Sequence, residues 1–196
     1  TSLQEARWIE QAGIDAIVAQ GIEAGGHRGM FDPQAPDECW STAVLVRMLV
    51  QQTKLPIVGA GGIMDGAGIR AMLDLGAAAA QLGTAFVLCP ESAANVAYRQ
   101  NLKSERAART RLTEVVSGRP ARGMVNRLIT FGEAAGSPPN AGYPMTYDVA
   151  KQLNAVASQQ GNHEFAAQWA GQGAPLAREM SAAELMQVLV REWKGD

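Results

Sequence analysis

Three times between Leu3 and Thr84 a helical stretch gives way to a short apolar run that closes on glycine. Leu3 to Ala12 (LQEARWIEQA) sets Ala6, Trp8, Ile9 and Ala12 at helical spacing, with Gly13 as its stop. Ile14 to Ala19 (IDAIVA) is short, apolar and rich in β-branched residues, which predicts a strand. Ser41 to Gln52 predicts a strongly apolar helix, Leu55 to Gly59 a second strand, and Asp65 a cap for a helix running to Leu75. Ala77 to Leu82 completes the series as a third strand, placed mainly by its position before Gly83 and Thr84. Strands joined through helices run parallel, and a parallel sheet needs cover on both faces. The alternation restricts the chain to an α/β architecture, either a doubly wound sheet or a (β/α)8 barrel.

The pattern changes after Pro90. Glu91 to Ala108 predicts a helix, and Arg109 to Arg122 has a strand-like centre with a turn at Ser117 and Gly118. Met124 to Ala135 predicts a helix, Gly136 to Pro144 a loop, and Tyr147 to Gln159 and Glu164 to Trp169 two further helices. Ser181 to Trp193 opens on a capping box, Ser181 with Glu184. The expected division is an α/β part over 1–89, a helical addition over 90–161 and closing helices over 162–196.

Composition removes other classes. Hydrophobic residues make up 47% of the 196 and charged residues 18%, a balance that builds a core rather than a disordered chain. Nineteen acidic side chains against 17 basic ones leave no basic excess for a nucleic-acid partner. No apolar run reaches the roughly 18 residues a bilayer crossing needs, so no membrane partner is expected. Cys39 and Cys89 lie far apart with no CxxC spacing and no metal-ligand pattern, which suits a reducing, cytoplasmic setting and no metal. The chain opens at Thr1 with neither an initiator Met nor a signal-peptide pattern, and the expectation is that further residues precede it.

Ligands of parallel α/β folds bind at the carboxyl ends of the strands. Gly61 and Gly62 follow one strand, Gly83 and Thr84 the next. Glycine lets backbone N–H groups close on a phosphate, and a following helix start adds partial positive charge. Tight βα turns are the competing reading, but two such loops on consecutive strands favour phosphate. His27 lies in EAGGHRG, directly after a strand, where flanking glycines offer no packing side chains and an imidazole can transfer protons near neutral pH. A surface loop histidine is its alternative; His163, in a polar turn, reads as solvated. Gln172, between Gly171 and Gly173, marks either a ligand-facing backbone or a plain turn. Arg119 and Arg122 offer an anion clamp or a pair of surface cations, and Tyr143 and Tyr147 flank a proline loop that could overhang the site. Glu23 and Asp65 receive no catalytic role.

Four segments, AQGIEAGGHRG (19–29), PIVGAGGIMDG (56–66), GAAAAQLGTAF (76–86) and WAGQGAPLAR (169–178), resemble the nitronate monooxygenases, formerly 2-nitropropane dioxygenases. The resemblance implies an FMN-binding TIM barrel with a smaller helical substrate domain. It places the FMN phosphate on Gly61, Gly62, Gly83 and Thr84, Gln172 and Gly173 beside the cofactor, His27 at the flavin, and Tyr143 and Tyr147 in the substrate pocket. The implied reaction is oxidation of alkyl nitronates by O2 to carbonyl compounds and nitrite. Alternatives are an FMN-dependent NAD(P)H reductase of quinones or enoyl thioesters, a non-redox phosphate-binding barrel, and a non-catalytic fragment. Three βα units in about 85 residues put a whole barrel of this type near 340 residues, so only strands six to eight are expected here. The remaining half of the barrel is then an expected partner, separate or cleaved, and a homodimer is a further expectation.

Overall fold

The computed structural model describes residues 1–195. Helix α1 (Leu3–Gln11) is closed at its start by Ser2 and Glu5, which exchange side-chain and backbone hydrogen bonds. Strand β1 (Ile17–Gln20) follows, then a two-residue strand β2 (Gly26–His27), helix α2 (Thr42–Gln52), β3 (Ile57–Ala60), α3 (Gly66–Asp74) and β4 (Ala79–Gln81). Ser41 caps α2 and Asp65 caps α3 through side-chain oxygens that accept from Val44 and Gly68 N–H. The remaining elements are α4 (Val96–Leu102), β5 (Thr110–Thr113), β6 (Ala121–Met124), α5 (Arg127–Gly132), α6 (Met145–Gln159) and α7 (Ala182–Lys194).

β1, β3 and β4 form a parallel sheet in the order β1-β3-β4, with Ile17 opposite Ile57 and Val58 opposite Ala79. Period-two alternation decides what each face does. Ile17, Ala19 and Ile57 turn toward Leu45, Val46 and Leu49 of α2 and form the main core with Ala6 and Met72. Val18, Gln20, Ala60 and Gln81 fall on the other face, and line a cavity instead of a second helical layer. Leu185 and Leu189 of α7 pack on Met64, Ala85 and Cys89, closing the structure behind α3. Among the described residues no helix is long and apolar enough to cross a membrane.

A second sheet, antiparallel in the order β2-β6-β5, joins the loop after β1 to the chain beyond residue 110. Segment 90–161 is therefore not purely helical. The helix expected over Glu91 to Ala108 is confined to α4, followed by a 3-10 turn at Glu105–Ala108. The helix expected from Met124 begins at Arg127, because Met124 belongs to β6 and Asn126 supplies the cap through Ile129 N–H. Glu164 to Trp169 is not helical. Its carbonyls serve other segments: Glu164 accepts from Leu128 N–H at 3.1 Å and Gln168 from Met124 N–H at 2.9 Å, and Trp169 bridges to Gly123.

Candidate active site

Parallel register brings the ends of β1, β3 and β4 to one side of the sheet. The turns that follow them, with Gly171 and Gly173, line a cavity of about 570 Å³, within the range of cofactor sites. Gly61, Gly62, Gly83, Thr84 and Gly173 are all brought to it. Gly61 (φ 128°) and Gly62 (φ 71°) hold backbone conformations that side chains disfavour. A Cβ on Gly61 would come within 2.7 Å of the Thr42 hydroxyl and 3.0 Å of Ala24 N. Gly83 differs: a Cβ there would meet nothing within 4 Å, so its main chain borders open space. Thr84 Oγ1 accepts from Gly171 N–H at 3.0 Å and holds the 169–175 turn against the cavity. Gln172 does not line it; its side chain is exposed and its N–H donates to the Glu23 carbonyl at 2.9 Å.

Glu23 organises this rim from behind. Its carboxylate accepts from the N–H and the hydroxyl of Thr42, both at 2.9 Å, and the same hydroxyl lies 3.0 Å from the Gly61 carbonyl. Tyr98 lines the cavity wall and donates its hydroxyl to the Trp169 carbonyl. Burial pushes its pKa up to about 12 and keeps it a donor.

His27 follows Gly26, a cavity residue, and is half-buried, in contrast to the expectation that flanking glycines leave it without packing partners. The partners come from distant segments. Its ring meets Tyr143 edge-on at 5.7 Å and Tyr147 at 5.8 Å, and tilts against Trp169 at 5.2 Å. Tyr143 and Tyr147 stack on each other at 6.4 Å, and Lys151 Nζ sits 4.2 Å over the Tyr147 ring. Nε2 lies 2.9 Å from the hydroxyl of Ser117. Burial, and then the Arg119 charge, push the imidazole pKa below its ordinary value.

Arg119 and Arg122 do not form a free anion clamp. Arg119 donates to the carbonyls of Arg28 and Met30, and Arg122 Nε to that of Ile22 at 2.9 Å. Arg28, fully buried, pairs with Asp37 at 2.7 Å and donates to the Gln20 and Gly21 carbonyls. The three arginines brace the backbone that carries His27. His163 lies in a turn, 3.5 Å from the Ser158 hydroxyl and apart from the site.

Sequence reasoning alone missed Ser117, Trp169 and Lys151. Lys151 had a readable signal, since Tyr147 and Lys151 are four apart on a helix and share a face. Trp169 opens the WAGQGAPLAR segment but received no role of its own, and Ser117 had no signal, because tertiary contact alone brings both to His27.

The nitronate monooxygenase family model matches residues 1–192. The chain is 60% identical over 195 residues to the nitronate monooxygenase of Pseudomonas aeruginosa PAO1, covering 100% of this chain and 56% of that protein. It is 55% identical over 194 residues to the nitronate monooxygenase of Paraburkholderia phytofirmans, covering 99% of this chain and 53% of that one. The crystal structure of nitroalkane oxidase from Streptomyces ansochromogenes superposes with a TM-score of 0.89 at 40% identity, over 98% of this chain and 55% of that one. FabK from Thermotoga maritima superposes at 0.75 and 28% identity, over 98% of this chain and 58% of that one. The chain spans about half the length of the curated relatives it matches.

Proposed function

This chain belongs to the nitronate monooxygenase family, and from that premise we propose that it builds the cofactor and substrate site of an enzyme oxidising alkyl nitronates with O2 to carbonyl compounds and nitrite. The observation that carries the reading is the placement of His27, in an aromatic cage, next to a cavity rimmed by two glycine turns on neighbouring strands. In this reading β1, β3 and β4 are strands six to eight of a TIM barrel, and the other strands come from a half of the protein outside these residues. Residues 1–89 belong to the barrel, 90–161 to the substrate domain and 162–196 to the closing segment. A cytoplasmic setting belongs to the same reading and suits the free thiols of Cys39 and Cys89.

The cavity fits FMN. Gly83 borders open space where a phosphate can approach the main chain, and the positive φ values of Gly61 and Gly62 form a turn whose amides an anion can reach. Gly61, Gly62, Gly83 and Thr84 would hold the phosphate, with Gly173 and the Gln172 backbone nearby. Bound FMN supplies the electron-transfer chemistry with nitronate and O2.

The protein residues bind, orient and move a proton. Burial and Arg119 keep His27 neutral near neutral pH, which favours a base over a permanent cation. His27 removes the α-proton of a neutral nitroalkane: the C–H bond breaks, its electron pair stays on the substrate as the nitronate, and the proton passes to the imidazole. Tyr143 and Tyr147 pack on the His27 ring, and with Lys151, whose ammonium lies over Tyr147, they would offer hydroxyl donors and positive charge to nitro oxygens brought to that histidine.

The test uses the protein at the full length of its relatives, with FMN content and nitrite release as readouts. His27→Asn should lower nitroalkane turnover by about 10²- to 10⁴-fold; undiminished turnover would reject the base. The likeness to FabK favours, more weakly, an NAD(P)H-dependent reductase on the same scaffold. Rapid anaerobic bleaching of the flavin by NADH would establish that alternative.

A further inference from the structure

We propose that Ser117 is a positioning residue that fixes the tautomer of His27, holding the ring proton on Nε2 and leaving Nδ1 as the nitrogen that accepts a proton. The inference rests on the reading of His27 as a base and deepens it.

The buried hydroxyl of Ser117 has one proton to place between two partners. Ser117 is completely buried, so water does not serve its side chain. Its Oγ has two close partners, the carbonyl of Arg119 at 3.0 Å and His27 Nε2 at 2.9 Å. A hydroxyl owns one proton and accepts through its lone pairs, while a carbonyl oxygen only accepts. If the proton points to Arg119, the lone pairs face Nε2, and Nε2 must carry hydrogen. Both contacts are then hydrogen bonds. If the proton points to Nε2 instead, Ser117 Oγ and Arg119 O face each other at 3.0 Å with no hydrogen between them, in a place without solvent to relieve it. The first arrangement satisfies every group and the second leaves one orphaned. Nδ1 has no protein hydrogen-bond partner among the described residues.

The turn that carries Ser117 cannot easily yield. Ser117 and Gly118 both donate their backbone N–H to the Glu114 carbonyl, at 3.3 and 2.7 Å. Gly118 (φ 77°) has the loop before α6 so close that a Cβ there would lie 2.3 Å from the Ala141 carbonyl oxygen. Tyr143 N–H donates to the Gly118 carbonyl at 3.3 Å. One turn thus orients the imidazole and anchors the tyrosine that walls it. On the other side, Arg28 N–H donates to the Pro120 carbonyl at 2.8 Å, tying the backbone next to His27 to the same turn.

The experiment reads the tautomer in the resting protein, without substrate. In long-range proton–nitrogen correlation spectra of the ¹⁵N-histidine-labelled full-length protein, the His27 ring is assigned by its disappearance in His27→Asn, and His163 likewise by its own substitution. At a pH where His27 is neutral, the wild type should show a single tautomer, with a pyrrole-like Nε2, a pyridine-like Nδ1 and an Nε2–H proton protected from exchange. Ser117→Ala should lose that protection and drift toward the averaged spectrum of a free imidazole, while the His163 ring stays unchanged. Ser117→Cys, which keeps the side-chain length, serves if the alanine variant does not fold, and should weaken the protection in the same direction. A wild-type ring protonated on Nδ1, or a protected Nε2–H unchanged in both variants, would overturn the proposal. Failure of the base itself would register separately, as undiminished turnover by His27→Asn.

Discussion

At the scale of single residues, the site depends on groups whose surroundings suppress an ordinary property. His27 is the clearest, since burial and the nearby Arg119 hold its pKa below the usual 6.5. A histidine that resists protonation in the folded state stabilises the fold fully above its unfolded pKa. That contribution is lost as the pH falls through the lower folded value. Denaturation of wild type and His27→Asn across about pH 5 to 8 should therefore show the wild type losing stability on the acid side relative to the variant. A parallel pH dependence in the two would contradict the shift. The glycines separate in a similar way. Gly61→Ala places a Cβ against Ala24 N in a left-handed conformation and should destabilise the fold by about 1–3 kcal/mol. Gly83→Ala meets no atom and should leave the melting temperature unchanged; if the proposed phosphate site is at Gly83, the new methyl intrudes on it and lowers FMN affinity in the full-length protein. Fluorescence titration of free FMN against both variants distinguishes strain from occupancy.

At the scale of elements, what could be read in advance followed the range of the forces involved. Ser41, Asp65 and the Ser181–Glu184 box set helix starts through neighbours three residues away, and all three helices begin there. The parallel strands could be read from their alternation with helices, and the glycine turns from their place at strand ends. β2 could not, since Gly26 and His27 become a strand only by pairing with Arg122 and Ala121 far along the chain. Glu164 to Trp169 failed for the same reason: its apolar spacing suits a helix, but its backbone groups are used by β6 and α5. The aromatic cage around His27 was half legible, through Tyr143 and Tyr147. Helix α3 supplies a test of short-range against long-range control. Asp65→Ala removes only a cap and should cost about 1 kcal/mol. Gly66→Ala would put a Cβ 2.3 Å from Trp193 N and should cost more, because α3 and α7 meet at that glycine and the obstructing atom is backbone. Chemical denaturation of both variants decides the order, and a milder effect for Gly66→Ala would mean that α7 can shift.

At the scale of the whole molecule, the parallel sheet is covered by helices on one face only. β1 and β4 are its edges, and Val18 on the uncovered face stays 48% exposed while Ile17 and Ala19 beside it are buried. Trp8 and Phe31, stacked at 6.1 Å, add exposed apolar surface close to β1. A parallel sheet left open in this way invites pairing with other chains. The relatives are nearly twice as long, and the face left open here is the one that carries Gln20, Ala60 and Gln81 into the cavity. Closing the sheet into a barrel would bury that face and enclose the cavity in one step. The 196 residues alone should therefore self-associate in light scattering, bind a hydrophobic dye, and hold FMN weakly. Co-expressed with the N-terminal half of a close relative, or fused to it, they should give a single species with a higher melting temperature and one FMN per site. A monodisperse monomer of the 196 residues that binds FMN as tightly as the completed protein would show that these three strands need no others, and the barrel reading would fall with it.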